Sequence, residues 1–271
     1  MLEAILHYEF MQNAVLAAVL AAVICGIIGV IVVEKKLVMM SGGIAHTAYG
    51  GVGLGYLLGF EPIFGALGFS ILAAFGIGFI HRRKGAGVDV AVAMFWSLGM
   101  ALGIAFASMS SGYMPDMTSY LFGNINSVSR QDMTMMIVLT AIVLLVVLAF
   151  FNDWKRYLFD DGFASIRGMN TALFEYVLLV LIALTVVVLI RVAGIILVIA
   201  LLTSPAATAA LFTSNLRSRM LLSVGVGLIN VLGGIVAAYY FDVAAGAAII
   251  ILSVLIYLIA FVVGKAIKRT V

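Results

Sequence analysis

Residues 13–33 read NAVLAAVLAAVICGIIGVIVV and contain no charged side chain. A helix of that length rises about 30 Å, the thickness of the hydrocarbon layer of a bilayer. It is apolar on every face, so its neighbours are lipid or other apolar helices and not water. The same pattern recurs, within a few residues, at 43–60, 62–80, 88–108, 132–152, 172–190, 194–214, 220–240 and 246–264. The sequence therefore predicts an all-α, polytopic membrane protein with about nine transmembrane helices. The weakest boundaries are the turn at Phe60, Glu61 and Pro62 and the break near Arg191, which makes eight the alternative.

Composition agrees. Of 271 residues 65% are hydrophobic and 10% charged, against roughly 25% charged in an ordinary soluble domain. With no linker, low-complexity tail or alignable repeat, residues 1–271 read as a single transmembrane domain. The net charge of +3 comes from basic residues scattered in twos and threes between apolar spans. That is a topology signal and not a phosphate-binding surface, so nucleic acid is not expected as a partner. Cys25 is the one cysteine, inside an apolar run, which excludes an intrachain disulfide and leaves packing as its role. The first ten residues carry Glu3, His7 and Glu9 where a cleavable leader would be basic, so the first span is expected to stay in the protein.

Lys35, Lys36, Arg82, Arg83, Lys84, Lys155, Arg156, Arg167, Arg217, Arg219, Lys265, Lys268 and Arg269 fall on one side of a nine-span layout, and only Arg130 and Arg191 on the other. The positive-inside bias then puts the C-terminus in the cytoplasm and the N-terminus outside. Two connections are too long for turns. The outer one, 109–131, contains Pro115, Asp116 and an apolar knot at Tyr120, Leu121 and Phe122, and reads as a capping or partly re-entrant loop. The inner one, 153–171, mixes Trp154, Phe159, Phe163 and Ile166 with charges, the pattern of a short amphipathic helix on the cytoplasmic side.

Chemistry concentrates in SGGIAHTAYGGVGLGYLLG, residues 41–59. It sets His46 roughly 12 to 15 Å into an apolar helix, where an ionisable group is costly and marks function by default. His46, Gly50 and Gly53 share a face that offers an imidazole beside open space. Gly43, Thr47, Gly51, Gly55 and Gly59 form a second, smooth stripe that invites a close neighbour. A bond from His46 to a nearby carbonyl is the competing reading. Pro205 interrupts ILVIALLTSPAATAA among Thr203, Ser204 and Thr208, where freed carbonyls and hydroxyls suit a polar path or simply a kinked structural helix. Asn230 is read as an interhelical hydrogen bond, Glu3 and His7 as an interfacial turn, and His81 as a solvated member of the HRRK cluster. The chain lacks GxxxxGK[ST], so it does not hydrolyse ATP by the P-loop route, and it lacks HExxH and GxSxG, which disfavours metalloprotease and serine-hydrolase chemistry.

Several segments in one order carry a resemblance: EFMQNAVLAAVLAAVICGIIGVIVV (9–33), residues 41–59, SYLFGNINSVSRQD (119–132), FDDGFASIRGMN (159–170), VAGIILVIALLTSPAATAA (192–210) and DVAAGAAIIILSVLIY (242–257). Nearly end to end, the chain resembles the membrane permease of the metal-uptake ABC transporters, which import zinc, manganese or iron. The resemblance implies a fold of the type II importer kind, similar to the larger vitamin B12 and siderophore importers but with fewer helices. It also implies a homodimer in the cytoplasmic membrane with two cytoplasmic ATPase subunits and an extracytoplasmic metal-binding protein. The divalent ion is then substrate, ATP belongs to the partner, no cofactor is permanently bound, and the chain is a conduit and not an enzyme. By the same resemblance, Phe159, Asp160, Ala164 and Gly168, within 153–171, form the coupling helix that docks on the ATPase.

His46 becomes the transit ligand, with Thr47, Gly50, Thr203, Ser204, Pro205 and Thr208 along the pathway. The family carries an Asp four residues before this histidine, and here that position is Gly42. His46 alone supplies one neutral nitrogen, acceptable to all three metals. DVAAG, with Ala244 before Gly246, departs from the family's DxPxG-like segment near the last helix. A permease for a bulky metal chelate, a carrier or channel working without ATP, and a plain membrane anchor are the alternatives. The first conflicts with the short chain; the last predicts no polar groups on a shared inner face.

Overall fold

The computed structural model describes residues 9–83, 87–110, 118–123 and 128–270. Glu3, His7, Lys84, Pro115, Asp116 and residues 124–127 of the outer loop lie outside them. The described residues form helices and no strand: α1 (Glu9–Glu34), α2 (Val38–Leu58), α3 (Pro62–Arg82), α4 (Val88–Met109), α5 (Thr118–Phe122), α6 (Arg130–Ala149), α7 (Phe151–Phe159), α8 (Asp161–Ile166), α9 (Thr171–Ile190), α10 (Gly194–Phe212), α11 (Leu216–Phe241) and α12 (Ala245–Thr270).

Eight of these helices are long and apolar enough to cross a membrane. The ninth long helix is α2, of 21 residues, whose glycines, His46 and hydroxyls dilute its hydropathy. Both weak boundaries are real breaks. Gly59 ends α2 in the left-handed conformation (φ +74°), and Pro62 opens α3, where its missing N–H costs nothing. At the other break Val192 and Ala193 bond back to the Leu189 carbonyl, and Gly194 (φ +74°) restarts the helix. The knot at 118–122 is a short helix, and Gly123 (φ +78°) packs onto the Ala193 carbonyl.

The chain divides into two compact units, one of residues 1–34, 121–142 and 189–271, the other of 35–120 and 143–188. In the first, α1 lies against α10 and α11. A Cβ on Gly29 would fall on the Leu202 carbonyl oxygen, and one on Gly26 would stand 2.9 Å from the Val224 backbone. In the second, α2 runs between α3 and α4 on two glycine seams. Gly51 and Gly65 press backbone to backbone, and a Cβ on Gly55 would meet Pro62 Cα at 2.6 Å. On the opposite face Gly53 meets Gly103, and Gly99 meets Thr47. In lipid no hydrophobic force separates helix from solvent, so this close backbone approach supplies the dispersion that holds helices together.

Ion pairs sit at helix ends. Arg219 pairs with Glu34, Lys35 Nζ lies 3.5 Å from Asp161, and Arg191 Nη1 lies 3.5 Å from Asp132.

Two expectations are corrected. Asn230 makes no interhelical hydrogen bond: it is 0% exposed, and neither amide atom has a partner, nor has the hydroxyl of Ser223. Close by, at Gly227, the neighbour across the helix seam is the methyl group of Ala22, which has no donor or acceptor to give. His81 is not simply solvated: its Nδ1 lies 2.6 Å from Glu175 Oε1.

Candidate metal pathway and coupling segment

His46 projects from α2 toward α4, where it is 8% exposed. Its ring stacks on the half-buried Trp96 indole, with centroids 3.9 Å apart and planes 13° from parallel. Its Nδ1 stands 3.3 Å from the thioether sulfur of Met100. The bond is therefore neither to a carbonyl nor into open space. The expected opening beside Gly50 is filled, since a Cβ there would lie 2.9 Å from the Gly99 carbonyl oxygen and 3.1 Å from the Phe69 ring. The physical cause is Gly99 and Gly103, spaced as small-xxx-small on α4, which let that helix close onto the histidine face. Gly59 also leaves its predicted stripe and serves as the helix cap.

Thr47 shares its hydroxyl proton between the Gly43 carbonyl (2.7 Å) and the Phe95 carbonyl of α4 (3.1 Å). In the other unit Pro205 sits buried inside an unbroken α10. Around it, Thr203 Oγ1 donates to Ile199, Thr208 Oγ1 to Ser204, and Ser204 Oγ to the Ser253 carbonyl of α12 at 2.8 Å. Each hydroxyl spends its proton on a carbonyl and keeps its lone pairs, which are what a passing cation would use. The described residues contain no group of three or more His, Cys, Asp or Glu placed to hold a metal ion. His46, Thr47 and Gly50 thus come together in one unit, and Thr203, Ser204, Pro205 and Thr208 in the other.

The inner segment 153–171 is two helices and not one. Asp160 breaks them with extended backbone (φ −157°, ψ 106°), and its Oδ1 caps α8 by accepting the Phe163 N–H at 2.9 Å. Gly168 (φ +82°) turns the chain out of α8, and the Met169 N–H bonds the Ala164 carbonyl. Ala164 is the buried foot of α8, while Phe159 (89%) and Ile166 (87%) are exposed large apolar side chains. Trp154, 1% exposed, anchors α7 on Phe174 with centroids 5.0 Å apart. Lys35 reaches Asp161 from over the ring of Tyr157, 3.9 Å from its centroid. Burial first, then the Glu175 and Asp161 carboxylates, push the Tyr157 phenol up, so the lysine faces a neutral ring.

Replacing Asp160 by Ala should cost about 1 kcal/mol of cap and speed amide exchange across 161–166 about fivefold, as read by mass spectrometry, with Asp160→Asn near wild type.

Sequence reasoning missed Trp96, Met100 and Glu175. Glu175 is buried in the first turns of α9 and accepts from His81 and from Arg82 Nη1 (2.9 Å) on α3. It borders a cavity of about 490 Å3 that is also lined by His81, Arg82, Val88, Asp161, Gly162, Ser165 and Thr171. The available signals were a lone acid at the start of an apolar span and, for α4, the Gly99/Gly103 pair one turn apart.

Long apolar helices, a buried imidazole on the glycine-lined α2 and a capped helix pair between two spans define a polytopic membrane protein with polar groups set inside its spans. Residues 7–264 match the family described as "ABC 3 transport family", and the chain belongs to it. It is 34% identical over 260 residues (96% of this chain, 92% of the relative) to "Manganese transport system membrane protein MntC" of Listeria monocytogenes. It is 31% identical over 261 residues (96% of each) to "Probable iron transport system membrane protein" of Haemophilus influenzae. Among solved structures it is similar to "PsaBC from Streptococcus pneumoniae in complex with Fab", with TM-score 0.87 and 32% identity, covering 96% of this chain and 94% of that one.

Proposed function

We propose that this chain is the membrane-spanning permease subunit of an ATP-driven importer of divalent transition-metal ions (zinc, manganese or iron), whose pathway is formed by two copies. The observation that carries the reading is a buried imidazole on the glycine-lined α2 of a chain that matches a transport family over residues 7–264. Relatives named for manganese and iron support the substrate class. His46 offers the ion a neutral nitrogen, and the hydroxyl and carbonyl oxygens around Thr203–Thr208 offer weak onward contacts. Weak contacts suit transit, because a conduit must release what it accepts.

The energy comes from two cytoplasmic ATPase subunits, and the ion from an extracytoplasmic binding protein. Phe159 and Ile166 give the ATPase an apolar handhold. Asp160, Ala164 and Gly168 hold α8 rigid enough to pass on its motion, so that helices rock and the path opens to one side at a time. The chain acts as a single permease domain over 1–271 in the cytoplasmic membrane, with its C-terminus and the coupling region 153–171 on the cytoplasmic side.

The test is uptake by the complete complex in proteoliposomes across a panel of divalent ions. His46→Ala should lower ATP-dependent uptake about tenfold, and unchanged transport would remove the histidine from the path. Copurification without any ATPase would favour a carrier working alone.

A further inference from the structure

We infer that His46 and Met100 form a two-ligand station that favours borderline and soft divalent cations, of the zinc and cadmium class, over hard manganese. This deepens the proposed metal pathway and rests on it. The imidazole Nδ1 and the thioether sulfur converge at 3.3 Å. Zinc bonds of roughly 2.0 Å to nitrogen and 2.3 Å to sulfur would span that separation at an angle of about 100°. Position 42, one turn before His46, is where α2 would place a second side-chain ligand on the same face. It is glycine, and a Cβ there would lie 3.0 Å from Trp96 Cζ3. The indole fills that slot and, by stacking on His46, fixes the plane in which the imidazole lone pair points.

The ligand left within reach from α4 is Met100, one turn after Trp96, and it is half-buried while His46 is closed in. An ion arriving at the buried imidazole would therefore come by way of the methionine side chain, part of which reaches the surface of the chain. Carboxylate and carbonyl oxygen suit manganese, whereas thioether sulfur selects softer ions and imidazole suits zinc. The described residues contain no three-residue cluster of His, Cys, Asp or Glu, so the ligand types at the station are the imidazole and the thioether. The two contacts can hold an ion only briefly, and discrimination is by ligand type and not by a tight site.

The experiment compares initial zinc and manganese uptake by the complete complex in proteoliposomes for the wild type, Met100→Leu and His46→Ala. Met100→Leu should lower the zinc-to-manganese rate ratio about tenfold, through zinc, while His46→Ala lowers both rates. A ratio within twofold of wild type in Met100→Leu, or an equal fall for both ions, would overturn the thioether's role and leave the import reading standing. A wild-type complex that moves neither ion would remove both. Should Met100→Leu not fold, cadmium K-edge absorption on the loaded complex in a Cys25→Ala background decides: a sulfur neighbour is expected, and a shell of nitrogen and oxygen alone overturns the station.

Discussion

Gly51→Ala should abolish the yield of monodisperse, detergent-extracted protein, while Gly68→Ala, seventeen residues along the chain, should leave it unchanged or slightly improved. Both exchange a helical glycine for the best helix former, a gain of roughly 1 kcal/mol in an isolated helix. They differ in what the new methyl group meets. At Gly68 nothing lies within 4 Å, whereas at Gly51 the methyl would fall on the Gly65 carbonyl carbon and oxygen, and the same holds in reverse. The obstacle is backbone on both sides, so no rotamer change relieves it, and α2 and α3 would have to part by roughly 1 Å along the whole seam. Overpacking in cores costs about 1 to 3 kcal/mol or more, and here it also opens the Gly55 contact with Pro62. Size-exclusion profiles of the two variants, made in parallel, give the answer. A monodisperse Gly51→Ala peak at wild-type yield would mean that the seam is looser than described.

Glu175→Ala should destabilise the protein by about 1 to 3 kcal/mol, the range for losing hydrogen bonds to a charged group, because the partners left behind, His81 and Arg82, are partly exposed to solvent. The carboxylate side chain is 7% exposed and answers two groups on α3, His81 at 2.6 Å and Arg82 at 2.9 Å. Its loss removes the carboxylate that holds Arg82 and His81 and enlarges the cavity that these residues share with Asp161 and Ser165 of α8. Glu175→Gln keeps a hydrogen-bond acceptor of similar shape, so it should lie between the alanine variant and the wild type. The midpoint of thermal unfolding in detergent, followed by intrinsic fluorescence, orders the three. An alanine variant as stable as the wild type would show that the pair contributes nothing net, as buried pairs sometimes do.

The helical spans were legible because lipid demands long runs of apolar residues, and a run such as 13–33 has no other use. Helix breaks were legible for a related reason: Pro62 punctuates the backbone by its own covalent geometry, and Arg191 puts a charge between two apolar runs, although the residue that restarts the helix there, Gly194, was seen only in the structure. The surroundings of His46 were not. In α4 every residue from Val90 to Met109 is uncharged, so Trp96 and Met100 look like any lipid-facing pair until the register between α2 and α4 is known, and that register is set by glycine contacts in three dimensions. Asn230 misled for the opposite reason. A buried amide ordinarily finds a partner, but both amide atoms of this one lack one, and sequence shows the amide without showing what stands opposite it. The inner segment showed its amphipathic character, but the break at Asp160 was not apparent, because aspartate as a cap and aspartate on a solvated face read alike in sequence.

The discontinuity of the first unit bears on how the protein is made. α1 finds its neighbours in α10 and α11, yet more than 150 residues are synthesised between the end of one and the start of the other. At 5–20 residues per second that interval lasts on the order of ten to thirty seconds. Throughout it the glycine grooves of α1 have their intended partners not yet translated, and only at its end have all of residues 35–188 been made. Biogenesis thus leaves α1 waiting as an orphan, a period in which an insertase or quality-control protease has access to its unpaired face.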